Sequence, residues 1–221
     1  MVSPSDFYLA LHRCTACKEQ GLDVVKDYPV LSFGDLKGKT IFVVGINPSS
    51  AEYEGFLSRA PDPLVRHTEQ MEYFDKRAYD FFRKLGRFFE GGAKTCLGWV
   101  RSPWEKVGFT DMVKCPTRNS KGQWARLKHS EKRKITENCR KYLTYQLNEI
   151  SPSIIMTYGS DVCRWFYPGY TQDDAYTCQD FMIKRKPRSL ILVPQVQGGN
   201  TPKRFIEVVQ DMIADCFKVT T

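Results

Sequence analysis

Four short apolar runs punctuate this chain, and each ends at a glycine or a polar turn. The first, Ile41 to Val44, is an unbroken β-branched and aromatic stretch that suits a strand buried on both faces. It stops at Gly45, and Asn47, Pro48, Ser49 and Ser50 then make a sharp polar turn. Val107 to Val113 is the second run, interrupted by Thr110 and Asp111; Ser153 to Gly159 is the third and Leu190 to Pro194 the fourth. Between the runs the apolar spacing changes to three and four. Tyr73 to Phe89 reads as a helix on Phe74, Ala78, Phe81, Phe82, Leu85, Phe88 and Phe89, stopped by Gly91 and Gly92. Ser130 to Ile150 reads as a long helix whose stripe is Ile135, Cys139, Tyr142, Leu143, Gln146, Leu147 and Ile150. A short helix follows Gly159 through Trp165, and Thr201 caps a last one with Pro202 at its first position. Residues 51–72 are irregular and polar, and 167–188 are loop or a short edge hairpin.

Four buried strands separated by helices predict an α/β fold with three α/β/α layers around a central, mainly parallel four-stranded sheet. The expected organisation is a single domain over residues 1–221, with an N-terminal CxxC segment and a basic insertion near 116–134. In such sheets ligands sit just past the C-terminal ends of the strands. That rule draws attention to Gly45, Ile46, Asn47 and Ser49 after the first strand and to Asp111 at the end of the second. On its own, the first loop reads first as an ordinary Asn-Pro turn.

The composition, 42% apolar and 26% charged, is that of a soluble globular protein. No apolar run approaches the roughly 20 residues that span a bilayer, and no signal-peptide core opens the chain, so no membrane partner and a cytoplasmic location are expected. A net charge of +8 favours a polyanionic partner. The cations concentrate: from Lys114 to Lys134 there are eight Lys or Arg against one acid, Glu131, with Trp124 among them. This segment is either a solvated basic loop or a surface that tracks phosphates. Eight cysteines without a secretory signal point to metal or redox chemistry before disulfides. Cys14 and Cys17 form a CxxC turn, which needs further thiolates to hold a metal or cluster.

The order of the pieces resembles the uracil-DNA glycosylase superfamily, and most closely its branch with a four-iron, four-sulfur cluster. The motifs that carry the likeness are the CxxC pair, Asp111-Met112-Val113-Lys114-Cys115, and the helix from Cys139 to Leu147 followed by Pro152 and Gly159. Gly45-Ile46-Asn47-Pro48 is closer to the mismatch-specific and thymine-glycosylase branch, whose Asn positions the attacking water. The resemblance implies cluster ligands at Cys14, Cys17, Cys115 and Cys139, leaving Cys96, Cys163, Cys178 and Cys216 as core or free thiols. Zinc is the alternative, though Cys115 and Cys139 lie 24 residues apart rather than in a second tight knuckle. It further implies that Asn47 holds the water and Phe74 stacks on a flipped base. Gly198, Gly199 and Thr201 at a helix N-terminus suit a DNA phosphate, with Lys203 and Arg204 just beyond. Lys114, Arg118 and Lys121 join these as DNA-binding candidates, and the DNA partner is expected to meet a monomer.

Two departures from the family pattern bear on the substrate. Where the family carries a His that stabilises the leaving base, this chain has Gln195 to Asn200, and its histidines are His12, His67 and His129. Gln195 or Asn200 then supplies a neutral hydrogen bond instead. Asp111 stands where uracil-specific members place Asn. A carboxylate repels the O4 of uracil but accepts from the N4 amino group of cytosine. Ser49 and Ser50 are small, and the excursion over 51–72 supplies Arg66, His67 and Glu69, room for a C5 adduct such as a sugar. These features fit a monofunctional DNA glycosylase for a cytosine-derived base, and the resemblance to superfamily members that remove glucosylated hydroxymethylcytosine from phage DNA implies that substrate and a role in antiviral defence. The alternatives are a uracil-DNA glycosylase for repair, a catalytically silent DNA-binding relative, or a structural Asp111 paired with Lys114 or Arg118. A Rossmann-type nucleotide site is disfavoured because no GxGxxG follows a strand.

Overall fold

The computed structural model describes residues 4–22, 24, 29–30, 32, 38–46, 48, 62, 64–65, 68–69, 80–117, 123–194 and 201–218. Within them the elements run α1 (Pro4–His12), α2 (Ala16–Glu19), β1 (Ile41–Gly45), α3 (Asp80–Gly86), α4 (Gly92–Leu97) and β2 (Val107–Asp111). There follow α5 (Gln123–Arg126), α6 (His129–Ile150), β3 (Ile154–Tyr158), α7 (Ser160–Phe166), β4 (Thr177–Ile183), β5 (Lys186–Val193) and α8 (Lys203–Lys218). The strands form one sheet in the order β2-β1-β3-β5-β4. The first four are mutually parallel, and β4 pairs antiparallel with β5. No helix among the described residues is long and apolar enough to cross a membrane.

The apolar runs became strands because both sides of each are covered. Val43, Phe109, Met156 and Ile191 point to one face, where Phe82, Leu85, Phe88, Phe89, Ile206 and Val209 pack. Phe42, Val44, Ile155, Leu190 and Leu192 point to the other, against Ile135, Leu143, Leu147 and Val162. Side-chain alternation along each strand thus builds two cores and three layers. The sheet has five strands rather than the expected four. The extra strand is β4, where every second residue is solvent-exposed until Ile183. Lys184 and Arg185, both at positive φ (47° and 63°), turn the chain into β5. Pro187 is accommodated there because β3 begins to pair with β5 only at Ser189, so the start of β5 has one neighbour.

The aromatic stripe expected as one helix from Tyr73 to Phe89 is α3 and a 3-10 turn at Arg87–Phe89, with 73–79 outside the described residues. Gly91, at φ 59°, breaks the chain as anticipated, but α4 starts again at once. The long helix α6 matches its stripe and begins one residue early at His129, with the Glu131 carboxylate accepting from the Lys128 N–H at 2.7 Å. Helix α8 begins at Lys203 rather than Pro202, a shift within the ordinary uncertainty of helix ends.

Candidate active site at the strand ends

Gly45 and Asp111 are the last residues of β1 and β2, and they face each other in register. Pairing continues past the strands: Met112 N–H donates to the Gly45 carbonyl at 2.8 Å and Val113 N–H to that of Ile46 at 2.9 Å. The exits of the two strands are therefore clamped together, which fixes where Asp111 projects. A Cβ on Gly45 would lie 2.6 Å from Asp111 Oδ1 and 2.7 Å from Phe109 Cζ. Only glycine lets the carboxylate rest across the end of β1. A second glycine shapes the next exit. Gly159, at φ 127°, would bring a Cβ within 2.8 Å of Ile46 Cδ1, so the Ile46 side chain lies in the space its hydrogen leaves.

Asp111 is buried, 4% exposed, and alternation puts its side chain on the face of Phe109. Phe81 from α3 meets Phe109 and Tyr158 edge-on, both at 5.6 Å between ring centres. The acid thus sits at the mouth of an aromatic wall made by Phe81, Phe109 and Tyr158. Nothing in the sequence singles out Tyr158, yet counting alternate residues from Ile154 places it on this face. Burial, with Tyr176 close by, raises the pKa of its phenol. Of the other expected site residues, Asn47, Ser49, Phe74, Gln195, Gly198, Gly199 and Asn200, together with Arg118 and Lys121, lie outside the described residues.

Lys114 differs from its expected role. The sequence places it among the DNA-binding cations, but it is fully buried on the other side of β2. Its ammonium donates to Thr110 Oγ1 at 2.6 Å, the Asp111 main-chain oxygen at 2.5 Å and Gln146 Oε1 of α6 at 2.6 Å. Three N–H groups meet three acceptors, so no donor is left for a phosphate. Burial lowers its pKa to about 7, opposed by the charges of Asp111 and Cys139. Trp124 is likewise not a free stacking platform. It is 8% exposed, and its indole N–H donates to Asp161 Oδ2 at 2.7 Å, which folds α5 back onto α7. Thr201 is partly buried, whereas Lys203 and Arg204 are exposed at the start of α8. Lys203 pairs with Glu207 at 3.4 Å, and Arg204 lies over the Phe205 ring, itself stacked on Tyr176.

The four cysteines proposed as ligands belong to three neighbouring pieces: the α1–α2 junction, the exit of β2, and α6. Cys17 and Cys139 are buried and Cys14 and Cys115 partly so. Asn138 Nδ2 donates to Cys17 Sγ at 3.4 Å, and Lys114 N–H to Cys139 Sγ at 3.5 Å. Burial pushes the Cys139 thiol up to about 12, and Cys17 and Cys14 push the same way. The Tyr142 phenol is raised by burial, with Cys14, Cys139 and Cys115 pushing the same way. Among the described residues no three His, Cys, Asp or Glu side chains are gathered as a metal-holding group. Cys163 is a core thiol against Thr157 Oγ1 at 3.1 Å, and Cys96 is exposed.

Compared with known families, residues 31–212 match the sequence model of the uracil DNA glycosylase superfamily. The chain belongs to the uracil DNA glycosylase superfamily. No curated protein matches it significantly. Membership assigns the class of chemistry, DNA glycosylase activity within base excision, and DNA as the partner. The superfamily match takes in Asp111, Cys115 and Cys139, while Cys14 and Cys17 precede it.

Proposed function

We propose that the protein is a monofunctional DNA glycosylase that removes a modified cytosine, such as glucosylated hydroxymethylcytosine in phage DNA, as an antiviral defence. The observation that carries the reading is the Asp111 carboxylate laid across Gly45 at the strand mouth. An acid there accepts from the N4 amino group of an everted cytosine and repels the O4 of uracil. Its second oxygen faces N3, an acceptor, so that contact is completed by a shared proton. The C1′–N bond breaks with its electron pair leaving on the base, and water adds to C1′ and loses a proton. In this reading Asn47 positions the water, Phe74 stacks on the base, and Gln195 or Asn200 donates to its O2. Positioning suffices where the leaving anion and DNA phosphates stabilise the sugar cation.

Cys14, Cys17, Cys115 and Cys139 would hold a four-iron, four-sulfur cluster in a structural role. In support are four soft sulfurs on neighbouring elements, two of them receiving N–H donors. Brown protein containing iron and sulfide is expected; colourless, zinc-rich protein would replace the cluster with zinc.

The test of the activity uses duplexes carrying uracil, cytosine, hydroxymethylcytosine or its glucosylated form, treated with alkali after enzyme. Strand cleavage at the glucosylated base is the expected result. Cleavage confined to uracil would establish the repair reading instead.

A further inference from the structure

Away from Asp111, on the opposite face of the sheet, α6 and α7 flank a groove of about 610 Å³. Trp124, Trp165 and Phe181 give it an aromatic lining, and Lys132, Arg133, Arg140 and Arg164 give it cations. Its two acids are already engaged. Asp161 accepts from Trp124, Lys132 (3.5 Å) and Arg164 (3.0 Å), and Glu137 pairs with Arg140 at 3.4 Å. One end of the groove reaches Met112, the residue after Asp111, and Asp161 lies two residues past Gly159. It therefore opens beside two of the strand exits that border the cleft.

We propose that this groove is a second nucleic-acid contact, which takes one or two unpaired nucleotides of the strand next to the everted base. Phosphates lie on the arginines and bases against the partly exposed rings of Trp165 and Phe181, the pairing of charge and π-surface that single strands require. The volume falls in the range of small-ligand pockets, roughly 300–1,000 Å³, which admits a short single-stranded piece and not a duplex. An acidic peptide would satisfy the cations as well, but it gains less from the flat rings of Trp165 and Phe181 and has no reason to sit at the strand exits. The inference rests on the DNA-acting reading above.

The experiment measures anisotropy of a fluorescein-labelled single-stranded oligonucleotide, and of a duplex holding a stable abasic-site analogue, across a salt series. It compares the intact protein with Arg133→Glu/Arg140→Glu and with Lys184→Glu/Lys186→Glu, an equal charge change in the β4–β5 hairpin at residues that do not line the groove. For the arginine variant, single-strand affinity is expected to fall about tenfold or more. The salt slope should drop by about 1.4, from two phosphate contacts at about 0.7 each. The hairpin variant and the abasic duplex should change far less. Equal losses in both variants, or none in a folded arginine variant, would overturn the groove assignment alone. So would a glutamate-rich peptide displacing the single strand at lower concentration than unlabelled DNA. Wild-type protein that binds neither probe would remove the DNA-acting reading and this inference together.

A different observation supports a second proposal. Cys178 on the edge strand and Cys216 on α8 lie 38 residues apart in sequence with their sulfurs 3.6 Å apart. We infer that the pair forms a reversible disulfide under peroxide, anchoring the last helix to the sheet edge. Cys216 thiolate attacks a peroxide oxygen, becoming a sulfenic acid and releasing water once the leaving oxygen is protonated. The Cys178 sulfur then displaces water from it; two thiols are oxidised and one peroxide is reduced to two waters. The hydrogen bond from Cys178 lowers the Cys216 pKa to about 6, which supplies the attacking thiolate. Peptide mapping of peroxide-treated, unreduced protein should find the 178–216 cross-link, lost in Cys178→Ser. Sulfinic acid at Cys216 without that cross-link would refute it.

Discussion

Asp111 and Lys114 are three residues apart, both buried and both ionisable, and they occupy opposite sides of the same strand exit. The lysine is held inside by Thr110, Gln146 and a main-chain oxygen, one acceptor for each N–H. The acid is laid over a glycine at the rim of an aromatic wall. Burial alone therefore does not separate a structural charge from one proposed to act on a base; what differs is whether the group ends between packed elements or at the end of the strands. The contrast can be broken from either side.

In stability, the largest effect is expected from Lys114→Met. It leaves Gln146 Oε1 and the Asp111 carbonyl without their charged donor, and urea unfolding should show a loss of about 3–5 kcal/mol. Gly45→Ala comes next. The added methyl must displace Phe109 or the Asp111 carboxylate, at a cost of about 1–3 kcal/mol, and excision should fall about 100-fold because the acid is misplaced by an ångström. Wild-type excision by a folded Gly45→Ala protein would show that the acid does not act from this position. Gln146→Leu removes one of three acceptors and should cost about 1–2 kcal/mol in the same unfolding assay while base preference is unchanged. Asp111→Asn should alter stability least, by under about 1 kcal/mol. It should also move excision from modified cytosine toward uracil, read on the four duplexes, since an amide can donate to O4.

The β1, β2, β3 and β5 strands were legible because double-sided burial writes a mostly apolar run, which in β5 covers only Leu190 to Val193. β4 was legible only as one alternative, the short edge hairpin within 167–188, since it has a half-exposed pattern with Gln179 and Asp180 inside it and turns through Lys184 and Arg185 without glycine. The position of Asp111 was readable from the strand end and its polar interruption. Lys114 was misread because its neighbours are cations, whereas its burial is decided by Gln146, 32 residues away. Trp124 was ambiguous for the same reason: its partner Asp161 lies 37 residues on. Local sequence announces an element's period, but the partner that fixes a charged or amphipathic side chain is announced only by the assembled sheet.

Lys114 also joins three places at once. Its N–H meets the Cys139 sulfur, its carbonyl receives the Val30 N–H, and its side chain grips the carbonyl of Asp111. Disturbance among the sulfurs thus has a short covalent and hydrogen-bonded route to Asp111, the acid proposed to meet the base. A molecule wired this way would lose discrimination between bases before it lost its shape.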